Sequence, residues 1–284
     1  MTSSTVDQTP GRQKGFGGTL LTLLAWLIGI TMFFPILWVV LTALKTEQTA
    51  FSMTPSFIFS PTLDSFKSAL AQGSGYWHYA INSVITALGS TLVGLALAIP
   101  AAYAMAFYPS KRTDFTLVWM VSTKFIPAVG VLIPVFLVYR SLGLLDTRLG
   151  LTMLFTSMNL PIMVWMVYSY FRDIPVDIVE AASIDGASTT QTMFRVILPL
   201  ALPGLASTGL LALILAWNES FWSLTMTDYH AATLAVYTAS FKSGEGLFWA
   251  RLSAASVMTI APIVVLGWFA QRQMVRGLTF GAVK

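Results

Sequence analysis

The chain has 284 residues, of which 56% are hydrophobic and only 10% charged, with a formal net charge of +4 and no cysteine. This balance excludes an ordinary soluble globular domain and points to an all-α polytopic membrane protein. The missing cysteines exclude disulfide scaffolds, thiol nucleophiles and cysteine-ligated metals, and the dispersed basic excess lacks the aromatic-interleaved runs that bind nucleic acid.

Residues 1–17 read as a polar N-terminal segment, expected in the cytoplasm, carrying Arg12 and Lys14. Six nearly charge-free windows follow, near 18–42, 80–107, 115–139, 149–171, 200–226 and 252–271. Each is long enough to cross roughly 30 Å of hydrocarbon at about 1.5 Å per residue. The first is too long for a secretory signal and lacks a small-residue cleavage site, so it is expected to be retained as a span. Together 18–271 form one membrane domain with its core about 75–271, and 272–284 form a tail. Pro35, Pro100, Pro127, Pro134, Pro161 and Pro262 fall within the windows, and each removes a backbone hydrogen bond that neighbours must replace.

Counting Lys and Arg on alternate sides gives nine against six when the N terminus is inside, with Lys124 in a span. The short loop with Lys111 and Arg112 and the basic tail carry the bias, so both termini are expected in the cytoplasm. The long outer loops, 45–79 and 227–251, hold Phe57, Phe59, Trp77, Tyr229, Tyr237, Phe241 and Trp249. These rings suit an interfacial aromatic belt, or else a docking surface for an extracytoplasmic protein.

Between the fourth and fifth windows lies a hydrophilic segment, 172–199, whose second part reads EAASIDGASTTQTMFRVILP from Glu180 to Pro199. Glu180, Ala181 and Ala182 are expected to open a short helix, Asp185 and Gly186 to end it, and Val196 to Pro199 to lead into the next span. Ala181, Ala182 and Ala187 are small enough to let another surface approach closely. The plainer alternative is an amphipathic helix lying on the bilayer, but such a face needs large apolar residues with Lys or Arg. A patterned polar insert in so apolar a chain is expected to touch something in water.

Ionisable residues inside spans are costly unless they face a cavity or partner. Lys124 lies about nine residues into the third window, roughly 14 Å from its inner end, and Glu219 is expected deeper in the outer half of the fifth. Asn218 and Glu219 offer amide and carboxylate groups for a polar solute, with Trp217, Phe221 and Trp222 as flat apolar surfaces. Equally, Trp217-Asn218-Glu219 could hold the fifth span against a partner or gate it. No G-x-x-x-x-G-K-[ST] cradle, Ser/His/Asp arrangement or metal-ligand spacing is present, and His78 and His230 are expected to be solvated loop residues.

Glu180-Ala181-Ala182, then Gly186, then Val196-x-Leu198-Pro199 in place of I-x-L-P, resembles the EAA signature of the membrane subunits of binding-protein-dependent ABC importers. Asn82-Ser83, Ala101-Ala102-Tyr103-Ala104, Leu160-Pro161, Phe171-Arg172-Asp173-Ile174-Pro175 and Trp217-Asn218-Glu219 are similar to the carbohydrate branch. The tail Gly277-Leu278-Thr279 is similar to that of maltose-type second permeases. The resemblance implies a bacterial inner-membrane permease that pairs with a second permease, two cytoplasmic ATPase subunits and a solute-binding protein. ATP and Mg would be bound by the ATPases, with no cofactor in this chain. Glu180 would meet a basic residue of the ATPase, Gly186 would aim the coupling helix, and the tail would reach the ATPase interface. The cargo would be a polyol, sugar or sugar glycoside, sulfonated ones included. An ion-gradient-driven secondary transporter is the alternative, though it leaves the polar segment without a purpose.

Overall fold

The computed structural model describes residues 16–52, 54–71, 75–243 and 246–279. Arg12, Lys14 and the final residues of the tail therefore lie outside the described residues. The first helix, α1 (Phe16–Ala43), is apolar on every side and nearly all exposed, as expected of a helix whose solvent is lipid. Short helices α2 (Glu47–Ala50) and α3 (Asp64–Leu70) follow, then the long α4 (Tyr76–Phe107).

The third expected span is not straight. Helix α5 (Thr113–Ser122) tightens into a 3-10 turn at Thr123–Phe125, and α6 (Ala128–Ser141) leaves at 94° to it. Pro127 stands at the N-cap of α6 and, having no N–H, cannot extend the preceding helix across the break. Next come α7 (Arg148–Arg172), α8 (Val176–Ile184) and the single turn α9 (Thr189–Gln191). A π-turn at Thr192–Ile197 joins α9 to α10 (Leu198–Trp217). The fifth crossing thus ends at Trp217, not at residue 226 as expected. The chain breaks there and continues as α11 (Phe221–Met226), α12 (Leu234–Ser240), a two-residue antiparallel pair β1 (Lys242–Ser243) and β2 (Gly246–Leu247), and α13 (Trp249–Thr279). Among the described residues, five helices are long and apolar enough to cross a membrane, and the bent pair makes a sixth.

The bundle is centred on α4 and α7, with α10 packed against both. In lipid the hydrophobic effect does not pull helices together, so close packing of small residues must. Ala87, Ala98 and Ala102 of α4 and Ala212 and Ala216 of α10 supply that surface. At Gly204 a Cβ would overlap the ring of Tyr170, so α7 and α10 approach here only because the side chain is absent. Buried hydroxyls turn back onto their own helices: Thr86 to the Asn82 carbonyl at 2.8 Å, Thr91 to Ala87 at 2.8 Å and Thr208 to Gly204 at 2.9 Å. None of these donors is left facing hydrocarbon.

Away from α8, polar side chains lock the long 218–248 connection onto the bundle. Buried Asn82 donates from Nδ2 to the carbonyls of His230 at 3.0 Å and Ala232 at 2.9 Å, while its Oδ1 accepts from Arg148 Nε at 2.7 Å. Ser83 Oγ accepts from Leu234 N at 2.8 Å. His78 reaches the Tyr229 carbonyl through Nε2 at 2.8 Å and stacks on the Tyr229 ring, so it is a clasp and not the solvated residue expected. Tyr237 is buried against Tyr76, Leu234 and Ala255, which removes it from any aromatic belt; Phe57, Trp77, Tyr229 and Trp249 do remain exposed.

Candidate functional site

The segment joining α7 to α10 begins earlier than its signature. Pro175 caps α8, with Asp177 in the first turn, so Glu180, Ala181 and Ala182 lie in the middle of the helix instead of opening it. A proline that presets φ and an acid near the helix's positive end explain the earlier start. Val179 and Ala182 are buried, whereas Asp177, Glu180, Ala181 and Asp185 are exposed and Ile184 is 86% exposed. The three alanines therefore do not share one face: Ala181 points out, Ala182 in, and Ala187 is half-buried.

The helix ends as the sequence requires. Gly186 has φ +80°, a region where an L side chain is strained. Its N–H bonds to the Ser183 carbonyl at 3.1 Å and that of Ala187 to the Ala182 carbonyl at 3.0 Å, the paired bonds of a Schellman turn. Ser188 then opens the next helix with a capping box: its Oγ accepts from Gln191 N at 3.3 Å, and Gln191 Oε1 accepts from Ser188 N at 2.9 Å. Pro199 stands in the first turn of α10, just after the π-turn and within the continuous run Thr189–Trp217, so it leads into the span as expected. Lacking an N–H, Pro199 cannot serve the carbonyl of Arg195, and the wider turn before it absorbs the mismatch.

Val179 belongs to the same apolar cluster as Ala98, Ala102 and Tyr103 of α4, Val167 and Phe171 of α7, and Ile197 and Ala201. A close-packed core transmits displacement instead of absorbing it. Movement of α8 would therefore be felt by all three central helices. Gly277, Leu278 and Thr279 form the last residues of α13.

The second group of expected residues gathers at two helix breaks. Lys124 lies in the 3-10 turn between α5 and α6, is exposed, and donates from Nζ to the Met158 carbonyl of α7 at 2.8 Å. Trp217 donates from Nε1 to the Thr259 carbonyl of α13 at 3.0 Å. Both acceptors lie three residues before a proline, Pro161 and Pro262, where the kink opens the helix to outside donors. Each is also ten residues from the N-terminal end of its helix, about 15 Å by helical rise. Lys124 and Trp217 thus lie at similar depth. Glu219 is near enough to attract Lys124 through space, with no ion pair between them among the described residues.

Asn218 is exposed, with Nδ2 folded back to the Ile214 carbonyl at 2.8 Å. Glu219 Oε1 accepts from Trp222 N at 3.1 Å, capping α11 while leaving its second oxygen free of that bond. Trp222 is 3% exposed, packed with Ala87, Leu151, Phe155 and Met226. Its ring is core, which removes it from any surface a solute could touch. Sequence reasoning missed the structural load on Asp146, between α6 and α7, a non-glycine residue with φ +52°. Its carboxylate accepts four backbone N–H groups, from Asp228 at 3.1 Å, Tyr229 at 3.2 Å, His230 at 2.9 Å and Ala231 at 3.0 Å. Burial pushes its pKa up, but these four donors outweigh that and hold it below the ordinary value.

A multi-pass helical bundle with prolines at its broken crossings, and a short acidic helix packed on its core at one end, is the architecture of a membrane permease. Residues 94–276 match the family described as binding-protein-dependent transport system inner membrane component, and the chain belongs to that family. It is 32% identical over 284 residues to the sulfoquinovosyl glycerol transport system permease of Agrobacterium fabrum, covering 99% of each chain. Identity is also 32% to the trehalose/maltose transport system permease of Thermococcus litoralis, over 96% of this chain and 99% of that one. Its fold is similar to a chain of a bacterial ABC transporter involved in import of the acidic polysaccharide alginate, with a TM-score of 0.76 and 22% identity over 93% of this chain and 99% of that one.

Proposed function

We propose that this chain is the permease subunit of an ATP-driven importer that moves a carbohydrate across the bacterial inner membrane by alternating access. The single observation that carries the reading is α8: its inner face, Val179 and Ala182, is set in the core shared by α4, α7 and α10, while its outer face, Asp177, Glu180, Ala181 and Ile184, is free. Such a helix suits a lever. Cytoplasmic ATPases holding ATP and Mg would grip the outer face, with Glu180 against a basic residue of theirs, Gly186 aiming the helix and Gly277, Leu278 and Thr279 reaching toward their interface. Both termini would then be cytoplasmic.

A second, homologous permease would cover the exposed faces of the bundle and complete the path, and a solute-binding protein would dock at the far end over the clasped 218–248 connection. Lys124, Trp217, Asn218 and Glu219 would line the path at mid-depth, where hydroxyl-rich cargo needs amide, carboxylate and ammonium partners. The cargoes named for the Agrobacterium and Thermococcus relatives support a sugar or sugar glycoside. A thermal-shift screen of the companion binding protein against polyols, disaccharides and sulfosugar glycosides identifies which.

The lever is tested by Glu180→Lys in the full complex. Reversing an exposed charge leaves the chain inserted, but ATPase co-purification falls by about tenfold, the scale of one lost charge-assisted contact, and uptake is lost. Wild-type association together with wild-type uptake overturns the reading. Uptake that persists without any ATPase favours an ion-gradient-driven transporter instead.

A further inference from the structure

Helix α1 is held against the rest of the chain chiefly by α13. Between them runs a groove of about 970 Å³, bounded by Pro35, Trp38 and Val39 on one wall and Trp249, Val257 and Val265 on the other. At about 1.5 Å per residue, the stretch from Trp249 to Val265 runs about 24 Å. That exceeds the roughly 15 Å of hydrocarbon in one leaflet. The groove is therefore long enough for an extended acyl chain and its headgroup.

One end of this apolar groove is polar in an unusual way. Lys45, two residues beyond α1, lines it and is only 2% exposed. Its ammonium lies 4.3 Å from the Trp38 ring centroid and 5.1 Å from that of Phe59, and among the described residues it meets no carboxylate or hydrogen-bond acceptor. Glu47, two residues on, cannot neutralise it cheaply. Its Oε2 accepts from Ala250 N at 3.1 Å and its Oε1 from Arg251 N at 2.9 Å, capping the positive end of α13. Ser56, also lining the groove, has a buried Oγ with no partner. A buried cation and a buried hydroxyl without acceptors are both costly, and anionic oxygens in the groove that both line would supply acceptors.

We infer that the groove between α1 and α13 is a binding site for an anionic phospholipid, whose phosphate diester is held by Lys45 and Ser56 and whose acyl chain lies between the two helices. The rings of Trp38 and Phe59 flank the ammonium and leave it only π-faces, which stabilise but do not neutralise a desolvated charge. A phosphate supplies the missing acceptors, and a chain of methylenes fits the walls below it. A bound lipid would then complete the packing that protein atoms leave open.

The test uses the full chain, purified in its complex from bilayers of phosphatidylethanolamine and phosphatidylglycerol, with retained lipid identified by native mass spectrometry. Wild-type protein keeps a phosphatidylglycerol through delipidation. Lys45→Met loses about tenfold of that occupancy, as expected for removal of a charge-assisted contact, whereas Lys45→Arg keeps it. Ser256→Trp fills the groove while leaving Lys45 in place, and it too sheds the lipid; this variant serves if Lys45→Met does not fold. Undiminished occupancy in either folded variant overturns the inference. So does displacement of the lipid by inorganic phosphate, which would make the site a free-anion pocket, or a photoreactive side chain at position 256 that links to another protein helix and not to lipid.

Discussion

At the scale of single residues, Asp146 has the heaviest structural role outside the membrane crossings. One side chain accepts four consecutive backbone donors, from Asp228 to Ala231, while its own N–H bonds to the Met226 carbonyl at 2.9 Å. The ionised form alone can do this, because a protonated or amidated side chain presents a donor to donors. Asp146→Asn turns one oxygen into an NH2 facing two N–H groups, so the 228–231 turn is expected to loosen by about 2 kcal/mol, read as faster amide exchange there. The pH dependence follows from the lowered pKa. Because the folded value lies below the unfolded one, the contribution is complete above about pH 4 and is lost as pH falls through the folded value. Exchange rates at 228–231, corrected for their intrinsic pH dependence, should rise in acid in wild type and be insensitive in Asp146→Asn; equal acid sensitivity in both assigns the effect to another group.

At the scale of elements, the turn after α8 gives the sharpest case. Gly186 has open space around its missing Cβ, so only its φ of +80° demands glycine. Gly186→Ala is expected to weaken the turn by about 1 kcal/mol, roughly a fivefold rise in exchange at residues 185–187, and Gly186→Asn by less. A smaller effect for Ala than for Asn contradicts that account. This turn was legible in the sequence, as were four of the crossings, because glycine chemistry and long apolar runs act locally. Other boundaries were not. Hydropathy averages across the break at Pro127, since Ile126 and Ala128 on either side are apolar, and across Asn218-Glu219-Ser220, since Trp217 and Phe221 flank it. The Glu180 signature draws the eye to the middle of α8, whereas Pro175 and Asp177 mark its true start. The capping box from Ser188 to Gln191 is readable in the sequence as a Ser-x-x-Gln spacing. Trp222 shows the deeper limit: an aromatic beside a polar pair reads the same whether it faces a path or, as here, fills the core between α4 and α7.

At the scale of the whole molecule, α8 and the mid-depth residues meet on the same three helices. The cluster holding Val179 continues along α4, α7 and α10, and α7 carries both Phe171 beside α8 and the Met158 carbonyl that receives Lys124. A shift of α7 at one end would therefore alter the Lys124 contact, and with it the angle between α5 and α6. If Lys124 serves the path, Lys124→Met is expected to lower uptake by about tenfold, the scale of one charged hydrogen bond, while the amount of assembled complex is unchanged. Glu219→Gln keeps an oxygen for the Trp222 N–H but removes the charge that attracts Lys124. The two substitutions should then be less than additive in uptake, since each removes the same attraction. Additive losses separate the residues functionally. A fall in assembled complex that matches the fall in uptake makes Lys124 a strut of the broken crossing, holding α6 to α7, and moves the solute's partners to the exposed amide of Asn218 and the surface beside it.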